Sequence, residues 1–143
     1  MSDLPDINVW LALTYDGHVH HRPARAWFED VGRRSAVFCR VTQMGLLRLL
    51  THEAVMGSDT LSQRDAWAVY DTLCADDRVA FLVEPHDVEV FWRRMTAASR
   101  RGPRPWTDAY LAGFAMASDL RMVSFDRGFT SCAGLRLLIP GTS

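Results

Sequence analysis

Residues 106–129 read WTDAYLAGFAMASDLRMVSFDRGF, and this stretch decides how the chain folds. Its first half predicts a helix that carries an acid, Asp108, in its first turn. Its second half predicts a short apolar strand that ends beside a second acid, Asp126. In a sheet covered by helices, a helix starts at the edge where the preceding strand ended, and the next strand runs back toward that edge. We therefore expect Asp108 and Asp126 to meet at one edge of a sheet.

The rest of the chain alternates between short apolar runs and helical patterns. Apolar runs at residues 36–39, 79–83 and 135–139 predict strands, and residues 4–14 predict a very short strand, clipped at Pro5, followed by a helix. This alternation predicts an α/β fold: one domain over residues 1–143, with a mainly parallel sheet of about five strands and helices on both faces.

The predicted helices have recognisable starts and inward faces. Residues 86–99 carry apolar side chains at the i, i+3, i+4, i+7 spacing of an amphipathic helix. Thr42 is expected to cap a helix over residues 43–50, and Ser62 with Asp65 has capping-box spacing. The inward stripes are expected to include Ala26, Trp27 and Val31 in the second helix, and Trp67, Tyr70, Leu73 and Cys74 in a later one.

Composition narrows the possible functions. A chain of 143 residues with 48% hydrophobic content can bury the core of one compact domain. The formal net charge of -1 excludes a uniformly basic nucleic-acid binder, so a polyanion would have to be held by a local patch or through metal ions. All 16 basic residues are arginine, which excludes mechanisms that need a catalytic lysine.

The cysteines and the apolar segments bear on the compartment. The three cysteines, Cys39, Cys74 and Cys132, are odd in number and form no C-x-x-C pair, so we expect buried free thiols in a reducing cytoplasm. No segment approaches the roughly 18 apolar residues of a membrane helix, and no basic region precedes an apolar run at the start. We expect a cytoplasmic protein with no membrane segment.

A third acid is predicted to join Asp108 and Asp126. Parallel α/β sheets place their ligands at the carboxyl ends of the strands, and Asp6 follows the first predicted strand. Each aspartate alone would suit a helix cap or a turn. Three crowded carboxylates repel one another, whereas Mg²⁺ or Mn²⁺ stabilises them with hard oxygen ligands. The supporting polar residues are expected to be Asn8, Thr107 and Ser124.

A divalent ion on such carboxylates favours phosphodiester chemistry. It lowers the pKa of a bound water and neutralises charge that develops on a phosphoryl group. We expect Asp6 and Asp108 to hold the metal, and Asp126 to complete the site or orient the water. The substrate phosphates would then bridge to the metal, which explains how a nearly neutral protein could act on a polyanion.

These motifs, in this order, resemble one family over nearly the whole chain: the PIN-domain ribonucleases, and specifically the VapC-type toxins of bacterial toxin–antitoxin pairs. The resemblance implies a Mg²⁺- or Mn²⁺-dependent endoribonuclease that cleaves a structured RNA such as tRNA or rRNA. It also implies a homodimer inhibited by a VapB-like antitoxin. The segments that carry it are DINV at 6–9, the stretch 18–27, TQMGLLRL at 42–49, TDAYLA at 107–112 and SFDRGF at 124–129.

The chain departs from the family pattern at one acidic position. Family members commonly carry a glutamate on the helix after the second strand, and the matching position here is Gly45. There is no acid between Arg40 and Thr51, although Gln43 lies nearby. We expect metal binding to rely on the three aspartates, with Gln43 or water completing the site.

A basic stretch lies directly before Trp106. Five arginines occur within 12 residues, and no acid occurs between Val90 and Thr107. A solvated surface is one interpretation; an RNA-phosphate track with Trp106 stacking on a base is the other. The arginines are Arg93, Arg94, Arg100, Arg101 and Arg104.

Four alternatives compete with the ribonuclease. Receiver domains and aspartate-dependent phosphatases need a lysine, and the phosphatase pattern needs an acid at the position of Asn8, so both fit poorly. His18, His20 and His21 lie too close together, without distant partners, for a closed zinc site. A PIN-like module that binds RNA or protein but has lost activity with the fourth acid remains open.

Overall fold

The computed structural model of the chain describes residues 2–97 and 105–142. Five strands within them form one sheet in the order β3-β2-β1-β4-β5, and every neighbouring pair is parallel. The predicted α/β class is confirmed, and the sheet is parallel throughout the described strands. The strands are β1 (Asp3–Pro5), β2 (Ala36–Phe38), β3 (Val79–Phe81), β4 (Arg121–Val123) and β5 (Leu137–Leu138).

Helices connect the strands and cover both faces of the sheet. Two short 3₁₀ turns, Gly57–Asp59 and Arg127–Ser131, complete the regular structure of the described residues. The helices are α1 (Ile7–Thr14), α2 (His21–Glu29), α3 (Arg40–Leu50), α4 (Glu53–Met56), α5 (Gln63–Ala75), α6 (Val88–Ala97) and α7 (Trp106–Ala117). The predicted end of α6 at residues 98–99 lies outside the described residues.

The core lies in two layers, one on each face of the sheet. Side chains of α6 and α7, such as Met95 and Phe114, fill one layer, and side chains of α1 and α3, such as Trp10 and Leu46, fill the other. A Cβ at Gly113 would lie 2.8 Å from the backbone nitrogen of Trp92. Glycine at this position therefore lets α7 approach α6 closely.

The first strand ends at Pro5 as the sequence predicts, but β2 ends at Phe38, one residue before the predicted end, and the cap of α3 was assigned to the wrong residue. The helix begins at Arg40 and its N-cap is Cys39, not Thr42. Thr42 lies at the third helical position, where its Oγ1 accepts a hydrogen bond from the Cys39 N–H at 3.0 Å. A threonine here can satisfy the N-cap nitrogen from inside the helix, so its presence alone did not identify the cap.

Three side chains expected to be buried are exposed. Ala26 and Cys74 face solvent, and Trp67 is 48% exposed while packing edge-on against Tyr70 at 6.0 Å between ring centroids. Ala26 and Trp67 each lie next to a buried residue, Trp27 and Ala66, because the buried face of the helix is narrower than the apolar pattern. Cys74 lies one turn beyond the buried Tyr70. Cys39 and Cys132 are buried and form no disulfide, as expected.

In the part of the chain that the structure describes, no helix is both long enough and apolar enough to cross a membrane.

Candidate active site

Asp6 lies at the junction of β1 and α1, where backbone and side-chain contacts hold it. Its N–H donates to the carbonyl of Val123 at 2.8 Å, one residue beyond the paired part of β1 and β4. Its Oδ1 accepts from the Ile7 N–H at 2.8 Å, so the carboxylate caps the first turn of α1. Asp6 is only 7% exposed, which places a potential charge inside the protein.

Ser124 is fully buried at the end of β4 and links the polar groups of the site. Its Oγ donates to Asp6 Oδ2 at 2.9 Å and accepts from the Asp126 N–H at 3.0 Å. Asn8 reaches the same turn: its Nδ2 donates to Ser124 Oγ at 3.5 Å and its Oδ1 accepts from the Phe125 N–H at 3.4 Å. Asn8 and Ser124 therefore join the start of α1 to the turn after β4.

The other two acids approach Asp6 from different elements. Asp126 is exposed and caps a 3₁₀ turn, its Oδ1 accepting from the Gly128 N–H at 2.8 Å. Asp108 is partly buried in the first turn of α7, with Thr107 exposed beside it. The negative charges of Asp108 and Asp126 both act on the Asp6 carboxylate. The helix and strand of residues 106–129 thus bring two acids to the edge where β1 ends.

The environment of Asp6 raises its pKa from 3.8 to about 6. Burial is the largest cause, because it removes water from the charged form. The hydrogen bonds from Ser124 and Ile7 lower the pKa, and the charges of Asp108 and Asp126 raise it further. At neutral pH the carboxylate is ionised but poorly stabilised by its neighbours, which is the condition that a nearby cation would relieve.

The donor set suits a hard divalent ion, although the acids do not form a complete ligand cage. Carboxylates at Asp6, Asp108 and Asp126 are the oxygen donors that Mg²⁺ and Mn²⁺ prefer. Across residues 2–97 and 105–142, no group of three or more His, Cys, Asp or Glu side chains lies close enough together to hold a metal ion. Protein ligands here are therefore few, as is common for Mg²⁺, which retains several waters.

The two positions considered for the missing fourth acid, Gln43 and Gly45, are both in close contact with other residues. Gln43 is buried and its Oε1 accepts from Arg40 Nη1 at 2.6 Å, through the oxygen that a metal ion would need. A Cβ at Gly45 would lie 2.2 Å from Ile7 Cδ1, so α3 packs directly on the residue that follows Asp6. A longer side chain at position 45 would have to displace Ile7.

The predicted RNA-binding residues fall partly inside the described region. Trp106 is 72% exposed and packs edge-on against Trp92 at 6.1 Å between ring centroids. Arg93 pairs with Glu89 at 2.9 Å on the exposed face of α6, which agrees with the surface interpretation of this arginine. Arg100, Arg101 and Arg104 lie outside the described residues.

Sequence reasoning missed two side chains at the carboxyl edge of the sheet. His20 stacks on Phe125 with ring centroids 4.3 Å apart. Phe125 is the residue between Ser124 and Asp126 in the chain. Arg40, the first residue of α3, is exposed where β2 ends. The sequence did contain a signal for Arg40, since it is a basic residue directly after the strand predicted over residues 36–39. His20 could not be placed, because loop residues carry no periodic pattern.

Comparisons with known proteins identify the family of the chain. The PIN domain family matches residues 4–135. Ribonuclease VapC41 of Mycobacterium tuberculosis is 42% identical over 139 residues, which cover 94% of this chain and 95% of that protein. Ribonuclease VapC38 of the same species is 31% identical over 96% of this chain and 94% of its own length.

Solved structures show the same fold at lower identity. The crystal structure of Mycobacterium tuberculosis VapC20, a sarcin-ricin loop cleaving toxin, has a TM-score of 0.71 at 16% identity and covers 97% of this chain and 100% of that chain. DNA-bound VapBC from Salmonella typhimurium has a TM-score of 0.69 at 17% identity, covering 96% of this chain and 97% of that one. The chain belongs to the PIN-domain family, as a ribonuclease toxin of the VapC type.

Proposed function

We propose that this protein is a Mg²⁺- or Mn²⁺-dependent endoribonuclease whose catalytic centre is built on Asp6, Asp108 and Asp126. The observation that carries the proposal is the convergence of two further negative charges on a buried carboxylate at the carboxyl edge of a parallel sheet. Ligands bind at this edge in open α/β sheets. A cation is the natural occupant of such a place, and phosphodiester hydrolysis is the chemistry that it serves.

The proposed roles follow from the positions of the side chains. Asp6 and Asp108 hold the ion, and Ser124 fixes the Asp6 carboxylate by donating to its Oδ2 at 2.9 Å. Asp126 completes the site or orients the attacking water, and Asn8 and Thr107 support it. When bound, the divalent ion supplies an acidified water and neutralises charge on the scissile phosphate.

The proposed substrate and partners follow from the family. We assign a structured RNA such as tRNA or rRNA as the substrate, supported by the VapC20 toxin, which is described as cleaving the sarcin-ricin loop. A small VapB-like antitoxin is the proposed inhibitor, supported by the likeness to the VapBC complex of Salmonella typhimurium. We further propose a homodimer in the cytoplasm, whose reducing conditions suit three cysteines that form no disulfide.

Cleavage of RNA by the purified protein tests the proposal. Wild-type protein is incubated with total cellular RNA and Mn²⁺ or Mg²⁺, and RNA ends are mapped by sequencing. Asp6→Asn and Asp108→Asn should abolish the cut, whereas Asp71→Asn, which removes an exposed acid of α5, should not. Cleavage that survives both active-site substitutions or persists in EDTA would overturn the proposal.

Metal binding is tested without reference to activity. A ligand of the native state raises the free energy of unfolding by about 1.4 kcal/mol at ten times its dissociation constant. Added Mg²⁺ should therefore raise the melting temperature of wild-type protein at neutral pH, and Asp6→Asn should lose this rise. Equal rises in the two proteins would place the ion elsewhere.

A catalytically inactive binding module is the second candidate. Two observations favour it. Gly45 occupies the position of the usual glutamate, and no three acids among the described residues lie close enough together to hold a metal ion. Under this alternative, wild-type protein would bind RNA or the antitoxin without metal-dependent cleavage. The same cleavage experiment separates the two functions.

A further inference from the structure

Arg40 lies on the same edge of the sheet as the three acids, one strand away from Asp6. Asp3 of β1 pairs with Ala36 of β2, and continuing that register by three residues brings Cys39 level with Asp6. Arg40 follows Cys39 and opens α3. Arg40 therefore begins α3 on the β2 side of the candidate active site.

Two contacts fix the direction of the Arg40 side chain. Its Nη1 donates to Gln43 Oε1 at 2.6 Å, and its guanidinium carbon lies 4.8 Å from the centre of the Phe81 ring. Gln43 is buried and Phe81 belongs to β3, so both partners are held by the fold. An exposed arginine that is held in one orientation loses little conformational entropy when it binds an anion.

No acid among the described residues forms an ion pair with Arg40. Among the described residues, acids lie within 4.0 Å of five arginines, at positions 25, 78, 93, 121 and 136, and Arg40 is not one of them. Glu84 lines the same surface depression as Arg40, but there the hydroxyl of Tyr110 donates to its Oε1 at 2.6 Å. Arg40 is thus oriented by a neutral amide and a ring, neither of which cancels its charge.

We propose that Arg40 binds a backbone phosphate of the RNA substrate on the β2 side of Asp6, and that Gln43 positions its guanidinium for this contact. The inference rests on the proposed ribonuclease function. Guanidinium groups form paired hydrogen bonds to phosphate oxygens, and this geometry needs a fixed orientation. The proposal also gives Gln43 a role that metal coordination does not, since its amide oxygen is already engaged by Arg40.

The test measures RNA binding without cleavage. A short fluorescein-labelled RNA of mixed sequence is titrated with protein in EDTA at several salt concentrations, and anisotropy gives the affinity at each. The slope of log affinity against log salt is negative, and Arg40→Gln should reduce its magnitude by about 0.7, the value for one single-strand phosphate contact. Arg48→Gln removes another exposed arginine of the same helix and is the matched control, expected to keep the wild-type slope.

Gln43→Glu separates orientation from charge. It keeps the acceptor that holds Arg40 but adds a negative charge beside it, so the slope should fall as in Arg40→Gln. Melting temperatures confirm that each variant is folded. Equal slopes for Arg40→Gln and Arg48→Gln, or a wild-type slope for Gln43→Glu, would overturn the proposal.

The outcomes also distinguish this inference from the proposed function. Metal-dependent cleavage by a protein whose salt slope is indifferent to Arg40 would leave the ribonuclease intact and refute the phosphate contact. An Arg40-dependent slope in a protein that never cleaves RNA would support the contact and refute the enzyme.

Discussion

Two buried aspartates at opposite ends of β1 show how similar burial can serve different purposes. Asp3 is 4% exposed and Asp6 is 7% exposed. Asp3 accepts from Arg121 Nε at 2.9 Å, from Arg121 Nη2 at 3.0 Å and from Trp27 Nε1 at 2.8 Å. Its carboxylate is therefore matched by a cation and saturated with donors, and the same contact raises the pKa of Arg121.

Asp6 receives a hydroxyl and a backbone N–H, and it faces the charges of Asp108 and Asp126. The pKa of Asp6 rises to about 6, whereas Asp3, at the start of β1, forms an ion pair with Arg121. Burial alone therefore does not identify a functional acid. The charge of the surrounding groups does: a cation beside Asp3 makes it part of the scaffold, and further acids beside Asp6 prepare it for a cation.

The largest expected effect is on catalysis, where the two ends of β1 should differ most. Asp6→Asn should reduce kcat/KM for RNA cleavage on the order of 1000-fold or more, since it removes a proposed metal ligand. Asp3→Asn should leave cleavage within about tenfold of wild type when assayed well below its melting temperature. Rates measured with a mapped RNA substrate check the pair, and similar losses in both variants would remove the functional distinction.

For the free energy of unfolding, in contrast, Asp3→Asn should be more damaging than Asp6→Asn. Asp3→Asn breaks an ion pair whose acid is buried and whose arginine side chain is 37% exposed. We expect a loss of about 3 kcal/mol in the free energy of unfolding, because Arg121 keeps its charge without its partner. Urea denaturation measures the loss, and a change below about 1 kcal/mol would show that solvent compensates Arg121.

Asp6→Asn should instead stabilise the metal-free protein at neutral pH. Folding raises the pKa of Asp6 from 3.8 to about 6, so the unfolded carboxylate ionises first. The charged group then opposes folding fully above about pH 6, partly between 3.8 and 6, and not at all below 3.8. A shift of this size corresponds to at most about 3 kcal/mol, and we expect a gain of about 2 kcal/mol once altered hydrogen bonds are included.

Denaturation in EDTA at a series of pH values checks this expectation. The difference in unfolding free energy between Asp6→Asn and wild type should grow as pH rises from about 4 to 6 and then level off. A difference that stays constant across this window would mean that Asp6 titrates normally.

The smallest effect concerns Ser124, which is fully buried and contacts Asp6. Ser124→Ala removes the donor to Asp6 Oδ2 and the acceptor of the Asp126 N–H. We expect about a tenfold loss in cleavage rate, in the range for residues that orient a metal ligand. Ser124→Thr retains the hydroxyl and is the control; equal losses in both variants would indicate a packing defect at this fully buried position.

Much of this architecture could be predicted from the chain alone. Apolar runs bounded by polar turns identified all five strands, and Asp108 and Asp126 were assigned to one edge because parallel connections must return there. The burial predictions failed for Ala26 and Trp67, which lie at the border of the buried face of their helices. A helical pattern specifies a stripe, but neighbouring elements decide how wide the buried part of that stripe is.

The candidate site was predictable in its acids but not in its contacts. Asp6 and Ser124 are 118 positions apart, and only the pairing of β1 with β4 brings them within 2.9 Å. Gln43 is predicted to support a metal ion, and the structure adds that its amide oxygen accepts from Arg40. Hydrogen-bond partners depend on distances between elements, which no local pattern contains.

The sequence by itself determined the order of elements, the parallel sheet and the edge at which the acids gather, since these follow from periodicity and the geometry of connections. Only the tertiary structure decided which buried aspartate is neutralised. Asp3 and Asp6 look alike in the chain, and their difference arises because β4 presents Arg121 at one end of its pairing with β1 and Ser124 at the other. Electrostatic energy depends on the surroundings of a charge in space, and folding alone supplies those surroundings.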